Sequence, residues 1–275
     1  MAQTAVVHQH QATVHASLNN MQTREAASAN PTSQPTAPRP TSPTIPEATA
    51  VSGPVEGNLQ RGAYDMAASW GPGHTSDNFD DPFSGVFSSL EIGSSKSWYG
   101  NDGRYHISET ARGRYVWFWT FATLANFYVD VVVINGASCH ARDSAGLVFR
   151  GDQIGNEGYL FGVTCGGQFH IGFKGGPNPG NAICSVSDVV TWNCSSLTTL
   201  HASEIIASGP GAMNRVAIYA RDMNLDLYVN GNWVYRISTD DFANFLEGGF
   251  ALYLGTFQEL NAEASFEDFN LWSMP

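Results

Sequence analysis

Basic residues are scarce in this 275-residue chain: 13 Lys and Arg stand against 25 Asp and Glu, a formal net charge of −12. The imbalance lies wholly beyond residue 61, because the first 61 residues carry three bases and three acids. Binding to a phosphate backbone depends on Lys and Arg neutralising its charge, so nucleic acid is excluded as an expected partner. Long apolar runs are also lacking. The one candidate window, Tyr115–Ile134, is interrupted by Asn126 and Asp130 and reads as two strands rather than a membrane span. The first 20 residues contain His8, His10 and His15 and no apolar core of a signal peptide, so an export signal is not recognisable.

Catalytic signatures are missing as well. There is no Gly-x-Ser-x-Gly, no phosphate-binding glycine loop, no dinucleotide glycine pattern and no His-Glu-x-x-His, which removes support for acyl transfer, nucleotide chemistry and zinc proteolysis. The four cysteines (Cys139, Cys165, Cys184 and Cys194) form no Cys-x-x-Cys and no zinc-finger spacing with histidine. Four cysteines allow three pairings, and their spacing does not choose among them. Two disulfides imply an oxidising compartment; four buried thiols are the alternative.

What is present divides in two. Residues 1–61 are rich in Ala, Ser, Thr, Gln and Pro, with six prolines between Pro31 and Pro46. Such a stretch cannot bury enough apolar area to offset chain entropy and is expected to be a disordered leader or stalk. From residue 62 to 275, short runs of Val, Phe, Tyr and Trp alternate with Gly, Asn and Asp, the pattern of many short strands. Helical periodicity is not sustained anywhere. Leu225–Val229 and Asn232–Ile237 flank Asn230-Gly231, a strong hairpin signal because both turn residues tolerate positive φ. Cys165-Gly166-Gly167 joins two further alternating runs. The expectation is one all-β domain.

Four ordered pieces carry a resemblance. They are Asn78-Phe79-Asp80-Asp81-Pro82-Phe83-Ser84-Gly85-Val86-Phe87, then Asn101-Asp102-Gly103-Arg104-Tyr105-His106-Ile107, then Asp143-Ser144-Ala145-Gly146-Leu147-Val148-Phe149-Arg150. The last runs from Asn214-Arg215-Val216 through the Asn230-Gly231 hairpin to Phe266-Glu267-Asp268-Phe269-Asn270-Leu271-Trp272. Together they resemble the concanavalin A-like lectin/glucanase (laminin-G-like) jelly-roll modules of extracellular bacterial proteins. The resemblance implies an antiparallel two-sheet jelly-roll sandwich with paired first and last strands, and binding on the concave sheet or its rim. It implies no single activity, since one fold hosts many.

Glucanases of this fold resemble one another in carrying Glu-x-Asp-x-x-Glu or Glu-x-Asp-x-Glu on one strand. That pattern is absent here. Glu263 and Glu267 do alternate on one strand and form the only candidate carboxylate pair for glycoside hydrolysis; two solvated acids are the plainer reading. Asp143–Arg150 also resembles, with an extra alanine, a strand of the 3-keto-disaccharide hydrolases.

Alternation assigns faces. Tyr115, Trp117 and Trp119 share one side of a strand whose other side carries Val116 and Phe118; either side can be the core one. If the open side is theirs, Arg150, Gln168 and His170 join it. Aromatic rings with a few polar groups suit a sugar, and Trp98 and Tyr99, in a loop, would extend the platform. For His170 alone a structural role is as natural. Trp192, Trp233 and Trp272 read as packing residues. No cofactor is expected beyond a structural calcium ion at Asp77, Asp80, Asp81 and Asp268. A meander through residues 127–164 brings Cys139 to Cys165 and leaves Cys184 with Cys194. Asn193 opens a formal glycosylation sequon.

The combined expectation is a monomeric, noncatalytic module at the cell surface or outside the cell, binding a glycan or surface polymer from a flexible stalk. A glycan-cleaving enzyme of the same fold, or a spacer without small ligand, are the competing classes.

Overall fold

The computed structural model describes residues 64–274 except 66, 70–73, 84, 153–156, 175–182, 188–190, 194–199, 239–244 and 258–259. The side chains of residues 121, 183–187, 191–193 and 238 are likewise outside the description. The leader, the Cys184–Cys194 pairing, the Trp192 packing role and the Asn193 sequon therefore lie outside the described residues.

The chain forms two antiparallel sheets packed face to face. The first comprises β1 (His74–Asp77), β2 (Leu90–Ile92), β3 (Ser95–Tyr99), β4 (Tyr105–Glu109), β6 (Phe127–Asn135), β13 (Met213–Arg221), β14 (Asn224–Val229), β15 (Asn232–Ser238) and β17 (Ala262–Ser273). The second comprises β5 (Arg114–Leu124), β7 (Ser144–Gly151), β8 (Gly158–Thr164), β9 (Gln168–Lys174), β10 (Ile183–Ser187), β11 (Thr191–Asn193), β12 (His201–Ala202) and β16 (Gly248–Thr256). Strand order in the first is β15-β14-β13-β6-β17-β4-β3-β2, with β1 on β17; in the second it is β11-β10-β9-β8-β7-β16-β5, with β12 on β9. The paired first and last strands implied by the resemblance are thus present, through His74 opposite Trp272 and Asp77 opposite Phe269.

Period-two alternation builds the core. Ile107, Val129, Val131, Val133, Val216, Ile218 and Phe266 of the first sheet meet Val116, Phe118, Leu147, Phe161, Ile171 and Leu252 of the second in one apolar layer. At β-sandwich spacing these side chains fill the gap between sheets. The Asn230-Gly231 turn has both φ values positive, 49° and 79°, as a two-residue hairpin with matching twist requires. Gly167, at φ 79°, closes the β8–β9 hairpin. Cys139 is bonded to Cys165 across a 6.1 Å Cα separation, tying the segment after β6 to that hairpin.

Two buried polar devices hold the ends. In the first, Arg215 bonds Asp130 at 2.6 Å, and Asn270 donates to the same Asp130 oxygen at 3.2 Å. Burial raises the Asp130 pKa even though Arg215 opposes the rise, so the partners are what keep this carboxylate tolerable. In the second, Arg150 donates to the carbonyls of Ala125, Asp222 and Phe245.

Candidate functional site

The outward side of the second sheet is where aromatic and polar side chains collect. Cross-strand register sets one row as Trp117 (β5), Tyr253 (β16), Gly146 (β7), Gly162 (β8) and His170 (β9). The row beside it runs Tyr115, Gly255, Ser144 and Thr164, and the row on the other side runs Trp119, Ala251, Val148, Leu160 and Gly172. Val116 and Phe118, the alternate residues of β5, belong to the core between the sheets. Trp117 and Trp119 therefore point away from the opposite sheet and remain partly exposed.

This face is strongly curved inward. β5 and β9 are four strands apart in the sheet, roughly 19 Å on a flat sheet at usual strand spacing. Yet the rings of Tyr115 and His170 lie 6.0 Å apart, and the Lys174 ammonium sits 5.1 Å from the Trp117 ring. Side chains from the two flanks can meet only if the sheet curls into a cup around them. The floor permits it because it is glycine. A Cβ at Gly162 would collide with the Tyr253 hydroxyl, and one at Gly255 would come within 2.7 Å of the Tyr115 ring.

Inside the cup, Tyr115, Tyr253, His170 and Lys174 are buried. Burial raises both tyrosine pKa values, so the phenols stay protonated; the Ser144 hydroxyl partly opposes the rise in each. Even so, the hydroxyls of Tyr115, Tyr253 and Ser144 meet no partner with hydrogen-bond geometry. Burial pushes His170 down to about 4, aided by His201, so its ring is neutral at physiological pH. Burial likewise pushes Lys174 down to about 8, while Asp152 acts the other way. At the opposite rim the Arg142 guanidinium stands 5.0 Å from the Phe257 ring, which packs edge-on to Tyr115 at 6.0 Å.

The structure thus gathers Tyr115, Trp117, Trp119 and His170 on one face, with Gln168 on the same side of β9 and partly buried. Arg150 does not join them. Strict alternation puts it beside Gly146 and Val148, but Ala251 pairs with Val148 while Gly249 pairs with Gly151. Two residues of β7 therefore face one of β16, a bulge. Arg150 adopts φ 48° there and is 1% exposed, so its fork turns inward to the three carbonyls.

Trp98 and Tyr99 are not in a loop and are not near Trp117. They lie in β3 of the other sheet. The Tyr99 hydroxyl donates to Asp77 and accepts from the Phe87 amide. Trp98 points outward, stacked on His106 at 4.9 Å with Lys96 above it. His106 is within 3.0 Å of Asp102 through one ring nitrogen and of Glu263 through the other. Glu267 pairs with Arg104 at 2.6 Å. Glu263 and Glu267 are therefore engaged by His106 and Arg104 on the outer face of the first sheet, far from the cup by topology.

The four aspartates expected near the seam each have partners within the protein. Asp77 is buried, accepting from the amides of Phe79 and Val86 as well as Tyr99. Asp80 accepts from Asn78, Asp81 accepts the Phe83 amide, and Asp268 pairs with Arg215. Among the described residues no group of three His, Cys, Asp or Glu is arranged to hold a metal ion. Trp272 is buried against Tyr128 as expected of a packing residue. Trp233 is instead 46% exposed, its indole donating to Asp226.

Sequence reasoning overlooked Ser144, Lys174 and Tyr253. The signal was available for Lys174, which continues the Gln168–His170–Gly172 alternation, and for Tyr253, flanked by Ala251 and Gly255 on its strand.

No family model matches the chain, and no curated protein matches it. Solved structures do. The laminarinase catalytic domain of Thermotoga maritima superposes with TM-score 0.50 at 13% identity, covering 73% of this chain and 97% of that one. A carbohydrate-binding module (CBM66) of Bacillus subtilis matches with TM-score 0.44 at 15% identity over 73% and 96%. A Bacillus licheniformis β-glucanase matches with TM-score 0.47 at 10% identity over 74% and 100%. The laminarinase domain is a concanavalin A-like jelly roll, and the chain shares that fold. At such identities the likeness establishes architecture and leaves activity to the site.

Proposed function

We propose that the protein is a noncatalytic glycan-binding module whose site is the cup of the second sheet. The observation that carries this reading is the composition of that face: Trp117 and Trp119 stand at its opening, Tyr115 and Tyr253 line it, and no Asp or Glu occupies the described positions of its three central rows. Partly exposed aromatic rings cover the apolar faces of sugars, and a few polar groups fix orientation. Retaining or inverting hydrolysis requires two carboxylates flanking the scissile bond, and the one alternating pair, Glu263 and Glu267, lies on the other sheet in contacts with His106 and Arg104. The Cys139–Cys165 bond supports residence outside the reducing cytoplasm. Among the described residues no helix is long and apolar enough to cross a membrane.

A glycan array probed with the full chain, followed by reducing-end analysis of every glycan bound, tests this. Retention of bound glycans intact is expected. Turnover that disappears in Glu263→Gln or Glu267→Gln would replace the reading with a hydrolase.

A further inference from the structure

On the outer face of the first sheet, Trp233 is 46% exposed, yet its indole is held in place. The ring nitrogen donates to Asp226 at 3.0 Å, and Arg236 grips both oxygens of that carboxylate at 2.8 and 2.7 Å. Asp226 is itself buried, and Leu225 and Leu227 on either side of it belong to the core between the sheets. The mount is therefore rigid. Trp233 belongs to none of the buried apolar clusters, so packing does not account for a large ring fixed in this position.

The ring is not isolated. Trp233 stands opposite Tyr228 on β14, and Tyr228 opposite Ala217 on β13. The row beside it runs Arg236, Asp226, Tyr219, Tyr128 and Trp272. Tyr128, Ala217, Tyr228 and Trp272 form a buried floor, and Tyr219 packs on it while remaining partly exposed. Trp233 and Tyr219 lie two strands apart, roughly 10 Å at usual strand spacing, with Asp226 on the strand between them. Asp226 and Arg236 cancel each other's charge. Arg236 is 58% exposed and uses only Nε and Nη2 on Asp226, so a guanidinium with five N–H donors keeps others for a ligand.

This alternation of ring and polar group decides the occupant. The centre of a protein interface is continuously apolar and depleted of charge, whereas an ion pair stands amid these rings. A sugar has apolar C–H faces edged by hydroxyls, and rings with a few placed donors match it. Resting on the glycan-binding reading, we propose that Trp233, Tyr219 and Arg236 form a second glycan platform, and that the module bridges two glycan strands. The cup and the platform lie on the outer sides of two sheets that pack face to face over the core. They look in opposite directions, so one strand laid on the cup does not reach the platform. The platform touches a sugar from one side only and is the weaker site; a short oligosaccharide reports the cup.

Light scattering with the full chain tests this, using the oligosaccharide that scores highest on the array and a long polysaccharide of the same repeat. The wild type clusters the polysaccharide, and scattering passes through a maximum and falls again at protein excess, as a two-site bridge requires. Trp233→Ala abolishes the clustering, while its calorimetric affinity for the oligosaccharide stays within about two-fold of the wild type. Sedimentation of both proteins without sugar gives the monomer mass. A wild-type dimer that Trp233→Ala dissociates assigns the ring to a second copy of the chain and overturns the platform. Oligosaccharide binding without clustering by the wild type, or clustering undiminished in Trp233→Ala, also overturns it and leaves the glycan-binding reading standing. No binding to any array glycan overturns that reading, and the platform with it.

Discussion

Lowering the pH is expected to weaken the fold through His170 in a window that the cup defines. The ring is 1% exposed and its pKa is pushed down to about 4, chiefly by burial and secondarily by His201. In the unfolded chain it returns to about 6.5. Between these values the unfolded chain holds more protons than the folded one, so stability falls as pH drops from 6.5 towards 4. Above 6.5 the ring is neutral in both states and adds no pH dependence. The gap between folded and unfolded values corresponds to about 3 kcal/mol lost by pH 4. Urea unfolding of the wild type and of His170→Gln at half-unit steps from pH 7 to pH 4 isolates this contribution, since acidic side chains elsewhere titrate in both proteins. The wild type should lose about 3 kcal/mol more than the variant across the window. Parallel stability curves would refute the buried, neutral histidine and with it the inward curl that buries it.

Three further outcomes follow from the same contacts. Arg150→Met leaves the carbonyls of Ala125, Asp222 and Phe245 without their donor and should cost about 3 kcal/mol or more, read by chemical denaturation, with ligand affinity unchanged per folded molecule. Replacing both Cys139 and Cys165 by serine opens a cross-link of sequence separation 26 and should cost about 3 kcal/mol on chain-entropy grounds, read as a lowered denaturant midpoint. Glu267→Gln breaks a partly exposed ion pair with Arg104 and should change stability by less than about 1 kcal/mol, with no effect on glycan binding.

The strands that were legible beforehand are those whose alternation is locally strong. Phe127–Asn135 and Gln168–Lys174 are strands over those same limits, and the faces of Tyr115–Trp119 follow from period two alone. β1, β2 and β3 escaped because three to five residues such as His-Thr-Ser-Asp or Ser-Lys-Ser-Trp-Tyr carry too little apolar pattern; their pairing with distant strands makes them strands. Trp98 and Tyr99 were misplaced for that reason. Arg150 failed differently, because a bulge reverses faces within one residue and leaves no mark in the composition of β7. The contact of Tyr115 with His170 was not readable either. It depends on sheet curvature and on a floor of Gly146, Gly162 and Gly255, three positions whose importance appears only when the strands are side by side.

Calorimetric titration of the tightest array ligand into the wild type, Trp117→Ala and Trp119→Ala bears most directly on the cup as the binding surface. Loss of at least ten-fold in affinity in both variants, with thermal midpoints within a few degrees of the wild type, is the predicted result. Undiminished binding by the two variants, or its loss instead in Trp98→Ala on the other sheet, would contradict the assignment.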